Sequence, residues 1–179
     1  CAVGTYNSYA GRDNVDDCLP CPRGYFCAVR GISDYKEYPC PVGGYCADKS
    51  LEVSWCPRGT YQNRSRMGAL TSCRSCPAGF YCGEGEVHPK YCADPQNRAG
   101  YYCPEGSGNM TICDAGHFCP PGSKSTKPCP SSYYCPQGSI YPKLCFNGTY
   151  CPRTSHIYKF CPLGFHGSAS NTNNSFATV

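Results

Sequence analysis

The sequence contains few of the residues that build hydrophobic cores. Leu, Ile, Val and Phe account for 23 of the 179 residues, and there is a single Trp. This apolar content is too small to offset the conformational entropy lost when a chain of this length becomes ordered. Without cross-links, the composition therefore predicts a disordered chain.

Long apolar runs, basic runs and helical periodicity are also missing. No stretch approaches the roughly 18 apolar residues of a transmembrane helix, so no membrane span is expected. No signal peptide opens the chain, which predicts a processed chain or a segment of a longer one. The net charge of +4 is spread without a basic run and predicts no nucleic-acid binding. The 17 Pro and 20 Gly residues argue against long helices.

Patterns that indicate catalysis or metal binding are not found. The serines lack a G-x-S-x-G elbow, and no Cys/His pair has the context of a nucleophile, so we expect no enzyme activity. The four histidines follow no ligand spacing, and Cys18–Cys21 and Cys73–Cys76 are the only close cysteine pairs. A zinc site is therefore disfavoured, and no cofactor is expected.

Cysteine is the residue that dominates the sequence instead, with 19 of 179 positions. This share exceeds the roughly 8–10% at which a chain is interpreted as a disulfide scaffold. A loop closed by cysteines six residues apart contributes about 2.4 kcal/mol in the chain-entropy model, so several such loops replace a missing core. Disulfides persist in oxidising compartments, which predicts a secreted or cell-surface protein.

The cysteines recur at fixed intervals, which predicts a linear array of stacked repeats. From Cys113 to Cys161 the intervals alternate between 6 and 10 residues. The cysteines at 1, 18, 21 and 27 recur exactly 55 residues later. The predicted divisions are a first long unit (1–55), a second long unit (56–112), three 16-residue units (113–160), and the start of an incomplete unit or an assembly tail (161–179).

A recurring loop sets the local structure, as in CPRGYFC at 21–27, CPVGGYC at 40–46 and CPAGFYC at 76–82. The proline after the cysteine fixes φ, and the glycine three residues after the cysteine permits a tight turn. Two short extended arms should leave that turn as a hairpin. The predicted fold class is small disulfide-rich modules with irregular loops, short β-hairpins and almost no helix, arranged as an elongated tandem-repeat rod.

An aromatic residue precedes the second cysteine of each loop. We interpret these rings as covers for the disulfide and the next unit, rather than as a ladder for stacking sugars or peptides. They are Phe26, Tyr45, Tyr81, Tyr102, Phe118, Tyr134 and Tyr150.

Two disulfide schemes remain open, because sequence alone does not fix connectivity. In the preferred scheme neighbouring cysteines pair, and Cys161 is free or bonded outside this segment. In the other scheme pairs span the longer gaps (119–129, 135–145 and 151–161) and use Cys161. The preferred pairs are Cys1–Cys18, Cys21–Cys27, Cys40–Cys46, Cys56–Cys73, Cys76–Cys82, Cys92–Cys103, Cys113–Cys119, Cys129–Cys135 and Cys145–Cys151.

The segment CPRGTYQNRSRMGALTSCRSCPAGFYC (56–82) resembles the ephrin-receptor-like cysteine-rich repeat. That repeat is similar to modules of tumour-necrosis-factor receptors and other growth-factor-like ectodomains. The run CDAGHFCPPGSKSTKPCPSSYYCPQGS (113–139) looks like the tandem arrays of large surface proteins of unicellular eukaryotes and algae. The resemblance covers nearly the whole chain and implies an extracellular rod or spacer. The spacing at 92–103 departs from the pattern.

Four N-x-S/T sequons predict N-linked glycans on an extracellular chain. They begin at Asn63, Asn109, Asn147 and Asn173, and Asn147 lies inside the tight Cys145–Cys151 loop.

Two functions are consistent with these features. The preferred one is a structural extracellular glycoprotein, a segment of a fibre or surface appendage that assembles with itself in a homopolymer or multi-repeat array. The acidic Asp13, Asp16 and Asp17 and the basic Arg64 and Arg66 give the two long loops opposite charge, a hint of self-association. The alternative is a receptor or adhesin ectodomain that presents loops to an extracellular protein or carbohydrate, with Tyr101 and Tyr102 as the candidate contact.

Overall fold

The computed structural model of this chain describes residues 1–9, 11, 14–162, 165–166 and 177–178. Within those residues the regular structure consists of two-residue strands and three single-turn 3-10 helices, with no α-helix. None of the described helices has the length and apolar character needed to cross a bilayer. The prediction of small disulfide-rich modules with short β-hairpins and almost no helix is confirmed.

The described strands form nine two-stranded sheets, each a short hairpin. The register in one of them pairs Thr60 with Ser75 and Tyr61 with Arg74, in antiparallel orientation. The sheets are β1 (Thr5–Tyr6) with β2 (Leu19–Pro20), β3 (Gly44–Tyr45) with β4 (Ser54–Trp55), β5 (Thr60–Tyr61) with β6 (Arg74–Ser75), β7 (Phe80–Tyr81) with β8 (Lys90–Tyr91), β9 (Tyr101–Tyr102) with β10 (Thr111–Ile112), β11 (His117–Phe118) with β12 (Lys127–Pro128), β13 (Tyr133–Tyr134) with β14 (Lys143–Leu144), β15 (Thr149–Tyr150) with β16 (Lys159–Phe160), and β17 (Phe165–His166) with β18 (Ala177–Thr178).

The three 3-10 helices lie in the longer connections, at Val15–Asp17, Tyr35–Glu37 and Leu70–Ser72. Asparagine and aspartate begin two of them, as expected for residues whose side chains accept from free N–H groups at a helix start. The Asn14 side chain accepts from Asp16 N–H at 3.1 Å, and Asp34 accepts from Lys36 N–H at 2.9 Å.

Nine disulfides join neighbouring cysteines, in the pairs of the first scheme above. Most of the bonded cysteines are completely buried, whereas the only buried aliphatic side chain among the described residues is Ile32. Ile32 packs with the Cys21–Cys27 disulfide, and the rings of Tyr6, Tyr25 and Tyr35 lie partly buried against them. Sulfur atoms therefore form the interior that the few aliphatic residues do not supply.

The chain divides into two compact units. Unit 1 comprises Cys1–Pro77, Cys82–Lys90 and Gly106–Asn109. Unit 2 comprises Ala78–Tyr81, Tyr91–Glu105 and Met110–Val179.

One repeat recurs in both units and consists of a cysteine loop and a following turn. The cysteine loop begins at the first cysteine of the repeat and contains a residue with positive φ. Examples are Gly24 at 84° and Gly79 at 88°, each three residues after that cysteine. The following turn, a few residues after the loop, contains a second residue of positive φ, such as Lys49 at 62° or Gly122 at 76°. Cysteine loops begin at residues 1, 21, 40, 56, 76, 92, 113, 129 and 145.

Main-chain hydrogen bonds join each repeat to the next within a unit. In unit 1, Gly24 N–H donates to the Cys46 oxygen and Cys40 N–H donates to the Gly24 oxygen, both at 2.9 Å. The following turn also takes part, because Lys49 N–H donates to the Cys21 oxygen at 2.9 Å. Unit 2 has the same three bonds, namely Gly116 to Cys135, Cys129 to Gly116, and Gly138 to Cys113. These bonds use the backbone alone, so side chains outside the motif are free to vary.

A second contact reaches two repeats ahead. In unit 1, Gly43 lies in the cysteine loop that begins at Cys40, and Gly85 lies in the following turn of the repeat that begins at Cys76, two repeats later. A Cβ added to Gly43 would lie less than 3.0 Å from the Gly85 carbonyl oxygen. In unit 2 Gly79 meets the Gly122 oxygen in the same way. Real Cβ atoms do not approach this closely, so the contact requires glycine at the loop. It recurs between Gly24 and Arg66, Gly59 and Gly106, and Gly116 and Thr154.

The following turn makes one more regular contact, with the residue that precedes the cysteine loop of the repeat before it. A Cβ added to Gly85 would lie 3.2 Å from the Trp55 ring. Gly138 faces the Ile112 side chain at 3.4 Å in the same manner. The following turn at Gly85 therefore packs on two surfaces, the loop glycine Gly43 and the side chain of Trp55, which ends a hairpin.

Candidate functional site

Three of the four predicted glycan acceptors lie on the described surface. Asn63, Asn109 and Asn147 are all exposed. Asn173 lies outside the described residues. Asn147 lies in the turn of its cysteine loop, Asn109 lies in a bend, and Asn63 follows strand β5 by two residues. The geometry is compatible with N-glycans at these sites, which stay a prediction.

The Asn147 sequon is built into its cysteine loop. Thr149, the hydroxyl residue of this sequon, is only 8% exposed, and its Oγ1 donates to the Phe146 oxygen at 2.7 Å. Thr5 and Thr60 occupy the equivalent position and make the same bond to Ala2 and Pro57, respectively. Thr149 therefore stabilises the folded loop through this hydrogen bond, in addition to completing the sequon.

Cys161 is the free cysteine of the described residues, and it is half-buried. Its N–H donates to the Gly148 oxygen at 3.0 Å, the bond that the first cysteine of a repeat makes with the preceding loop. Cys161 thus begins a repeat as Cys1 and Cys56 do. Both of those cysteines bond to a cysteine 17 residues later.

The seven aromatic residues that precede second cysteines are all half-buried. Phe26 packs edge-on against Tyr38 at 6.2 Å between ring centroids, and Tyr134 packs against Tyr158 at 5.6 Å. Tyr101 and Tyr102, the candidate contact residues, are also half-buried and form strand β9. Among the described residues, larger exposed fractions belong to other rings, led by Phe160 at 77%.

Three aromatic rings of unit 2 gather near the hairpin of β15 and β16. Phe146 and Tyr158 lie 5.4 Å apart between ring centroids, and Tyr158 and Phe160 lie 5.9 Å apart, both edge-to-face. Ring pairs with this geometry attract each other through their quadrupoles. The cluster leaves large parts of Phe146 and Phe160 in solvent.

Gln62 is a residue whose importance sequence reasoning missed. It stands at the loop position that a second cysteine occupies in other repeats, and only 2% of it is exposed. Its N–H donates to the Glu86 oxygen at 3.0 Å, and its carbonyl oxygen accepts from Gly43 N–H at 2.7 Å. The signal was present in the alignment of the two long units, where Asn7 and Gln62 replace a cysteine with a short amide.

The irregular loop between Cys92 and Cys103 is organised by one carboxylate. Asp94 accepts from Arg98 N–H at 2.7 Å and from Gln96 and Ala99 N–H at 3.3 Å. The Arg98 hydrogen bond is the largest cause that lowers the pKa of Asp94, and the other two bonds and the Arg98 charge act in the same direction. The inserted residues thus form a local turn around Asp94 within a longer version of the cysteine loop.

No group of three or more His, Cys, Asp or Glu side chains that could hold a metal ion occurs in the described ranges. Of the acidic residues noted in the first long loop, Asp16 and Asp17 belong to a 3-10 helix, and Asp13 lies outside the described residues. A pocket of unit 1 is lined by Asn7, Asn14 and Val15 beside the Cys1–Cys18 disulfide.

Neither a protein-family model nor a curated protein matches the chain. The description as a cysteine-rich repeat array therefore rests on the geometry of its loops, hairpins and disulfides.

Proposed function

We propose that this chain is a structural extracellular glycoprotein, a segment of a fibre or cell-surface appendage. The observation that carries the proposal is the stacking of one disulfide-closed repeat on the next through main-chain hydrogen bonds and glycine–carbonyl contacts. Because this stacking depends on backbone rather than on particular surface side chains, it suits a spacer or scaffold whose surface is free to vary.

The disulfides favour a location outside the cell. Each buried cysteine pair, such as Cys40–Cys46, takes the place of an apolar core, so the fold depends on an oxidising environment. Exposed sequons at Asn63, Asn109 and Asn147 agree with that location, since N-glycans are attached along the secretory route. A role without catalysis is part of the proposal.

The resemblance to ephrin-receptor-like repeats, and to the tandem arrays of surface proteins of unicellular eukaryotes and algae, supports the same assignment. Its features are a proline after the first cysteine, a glycine three residues after it, and an aromatic before the second cysteine. These residues set the turn and hairpin of each loop, which explains why the motif indicates a module type.

The proposal is tested on protein taken from the cells that make it. Under non-reducing, denaturing conditions, an alkylating reagent should modify at most one cysteine per chain, Cys161, and glycosidase treatment should lower the intact mass. Immunogold labelling in electron micrographs should place the protein on external fibres or on the cell surface. Alkylation of most cysteines without prior reduction, or label confined to the cytosol, would contradict it.

A receptor or adhesin ectodomain is the second candidate. The exposed rings of Phe146 and Phe160 favour it, because exposed aromatic groups mark contact surfaces. A glycan or protein array probed with the chain would then give a specific ligand, and binding would be lost on changing these rings. The contact at Tyr101 and Tyr102 that the sequence suggested is tested in parallel by Tyr101→Ala, with Tyr25→Ala as the control. Binding should be lost in the first variant and kept in the second.

A further inference from the structure

The three described sequons differ in how much of the acceptor sequence the fold leaves accessible. All three asparagines are exposed, and so are the hydroxyl residues that complete the first two sequons, Ser65 and Thr111. Thr149, which completes the third, is only 8% exposed. The folded chain therefore presents two sequons completely, but of the third it presents only the asparagine, Asn147.

Two hydrogen bonds and a strand pairing hold Thr149 in place. Its Oγ1 donates to the Phe146 oxygen at 2.7 Å, and its N–H donates to the same oxygen at 3.1 Å. Thr149 also pairs with Phe160 in the register of β15 with β16. The Cys145–Cys151 disulfide closes the loop around both ends of the sequon. Release of the Thr149 hydroxyl therefore requires both the turn and the loop to open.

The other two sequons lie in longer or open segments of the chain. Asn109 lies between Cys103 and Cys113, outside every disulfide-closed loop of the described residues. Asn63 lies inside a disulfide loop, but the cysteines of that loop, Cys56–Cys73, are separated by 17 residues rather than 6. Asn109 therefore provides a reference within the same chain for a sequon that no short loop confines.

N-glycosylation requires both the amide and the hydroxyl of a sequon. The side-chain nitrogen of asparagine displaces a lipid diphosphate from C1 of the donor sugar. A nitrogen–carbon bond forms, the bond from C1 to the diphosphate oxygen breaks, and one amide proton is released. Because the third residue of a sequon must carry a hydroxyl, the transferring enzyme has to recognise that group together with the amide. In the folded loop the Thr149 hydroxyl is buried and already donates to Phe146.

We propose that Asn147 accepts a glycan only while the Cys145–Cys151 loop is open. Glycan transfer and loop closure then compete during secretion, and a chain that closes its loop first keeps Asn147 unmodified. Because Asn147 is exposed in the closed loop, a chain that is glycosylated first still folds. Two glycoforms of one fold result. This inference rests on the proposed extracellular glycoprotein and adds the condition under which one of its sites is modified.

The experiment uses the complete chain, secreted from eukaryotic cells in the presence of an inhibitor of N-glycosylation, so that every sequon is unmodified. The oxidised chain and the chain reduced with dithiothreitol are each incubated with purified oligosaccharyltransferase and a lipid-linked oligosaccharide. Mass spectrometry of peptides measures the rate of modification at Asn147 and at Asn109. Reduction should increase the rate at Asn147 at least tenfold and the rate at Asn109 by a smaller factor.

Two double variants localise the effect while the other disulfides stay intact. Cys145→Ser/Cys151→Ser opens the loop that holds the sequon, so the oxidised variant should be modified at Asn147 at least tenfold faster than the oxidised wild-type chain. Cys129→Ser/Cys135→Ser is the matched control, because it opens a loop of the same length without a sequon, and it should leave that rate close to wild type. The reduced chain covers the case in which hydrogen bonds alone keep the first variant closed.

The same comparison is made in secreting cells without the inhibitor. There, the Cys145→Ser/Cys151→Ser variant should carry the Asn147 glycan on a larger fraction of chains than wild type. Three outcomes would overturn the inference. They are an Asn147 rate that neither reduction nor this variant increases, an equal increase in the Cys129→Ser/Cys135→Ser control, and equal occupancy of Asn147 in cells.

The proposed function is tested separately by the other sequons and by location. Glycans at Asn63 and Asn109 of a disulfide-bonded chain on external fibres would leave that function standing, whatever happens at Asn147. A cytosolic, thiol-rich chain without a glycan at any sequon would instead remove the function, and the inference with it.

Discussion

Gln62 donates a hydrogen bond from Nε2 to the main-chain oxygen of Ser72. The donor replaces a second cysteine, and the acceptor immediately precedes Cys73, which bonds to Cys56. Gln62 Oε1 also accepts from Arg64 N–H at 2.9 Å. The long loop is therefore closed twice, by a disulfide and by a buried amide that holds both of its arms.

Replacing Gln62 with alanine should destabilise the fold by about 1–3 kcal/mol, because it removes the side-chain amide that bonds the part-buried main-chain groups of Ser72 and Arg64. The measurement is chemical denaturation with the disulfides intact. Gln137→Ala is the control, since Gln137 is exposed in the turn after Cys135 and its change should stay within about 0.5 kcal/mol. Equal losses in the two variants would show that the buried amide contributes nothing specific.

Alanine at two loop glycines separates steric contact from backbone strain. Gly43 and Gly148 have similar positive φ, 85° and 78°, so alanine meets the same backbone penalty of about 1–2 kcal/mol at both. Only Gly43 faces a carbonyl within 3.0 Å of the added Cβ, that of Gly85. Gly43→Ala should therefore lose about 1–3 kcal/mol more than Gly148→Ala in the unfolding of monomeric protein. Equal losses would mean that the repeats separate readily at this contact.

The local part of this fold and the stacking of repeats are predictable, but the residues that make the stacking contacts are not. Proline and glycine at fixed offsets from Cys21 and Cys76 determine the turn and hairpin, because both residues act through their own backbone angles. The contact of Gly43 with Gly85 joins positions that no local rule relates, since it arises from how repeats lie on one another. The sequence also predicted four sequons on the surface, and the three that the structure describes, at Asn63, Asn109 and Asn147, are exposed.

Loss of a buried disulfide should cost more than loss of a disulfide that closes a longer loop. The chain-entropy model gives about 2.4 kcal/mol for Cys40–Cys46 and about 3.2 kcal/mol for Cys1–Cys18. Cys40 and Cys46 are fully buried, however, so alanine there also forfeits packing worth about 2 kcal/mol. We expect the Cys40→Ala/Cys46→Ala variant to be the less stable of the two in chemical denaturation. The reverse order would mean that loop length governs stability.

The loop from Cys92 to Cys103 should loosen in acid. Its Asp94 has a pKa below the ordinary value of 3.8 in the folded chain, because main-chain N–H groups, first that of Arg98, stabilise the carboxylate. A depressed folded pKa contributes stability above the unfolded pKa of about 3.9, and that contribution is lost as pH falls through the folded pKa.

Amide hydrogen exchange or NMR shifts of Gln96, Arg98 and Ala99 between pH 6 and pH 2 measure this transition. Asp94→Asn should already show the loosened loop at pH 6. Asp114→Asn, which changes an exposed acid of the next loop, should behave like wild type. Wild-type amides that keep their protection to pH 2 would show that the carboxylate does not hold the loop.

Two substitutions in one sequon separate glycosylation from loop stability. Asn147→Gln and Thr149→Ala should each remove the same glycan mass, since both destroy the acceptor sequence. Thr149→Ala additionally removes the hydroxyl bonded to the Phe146 oxygen, so it should cost about 1 kcal/mol more in thermal or chemical unfolding. Intact mass spectrometry and unfolding of enzymatically deglycosylated protein check the two effects independently. Equal stability of the Thr149→Ala and Asn147→Gln chains would contradict this prediction. It would show that the buried hydroxyl bond does not stabilise the loop and that Thr149 matters only for the sequon.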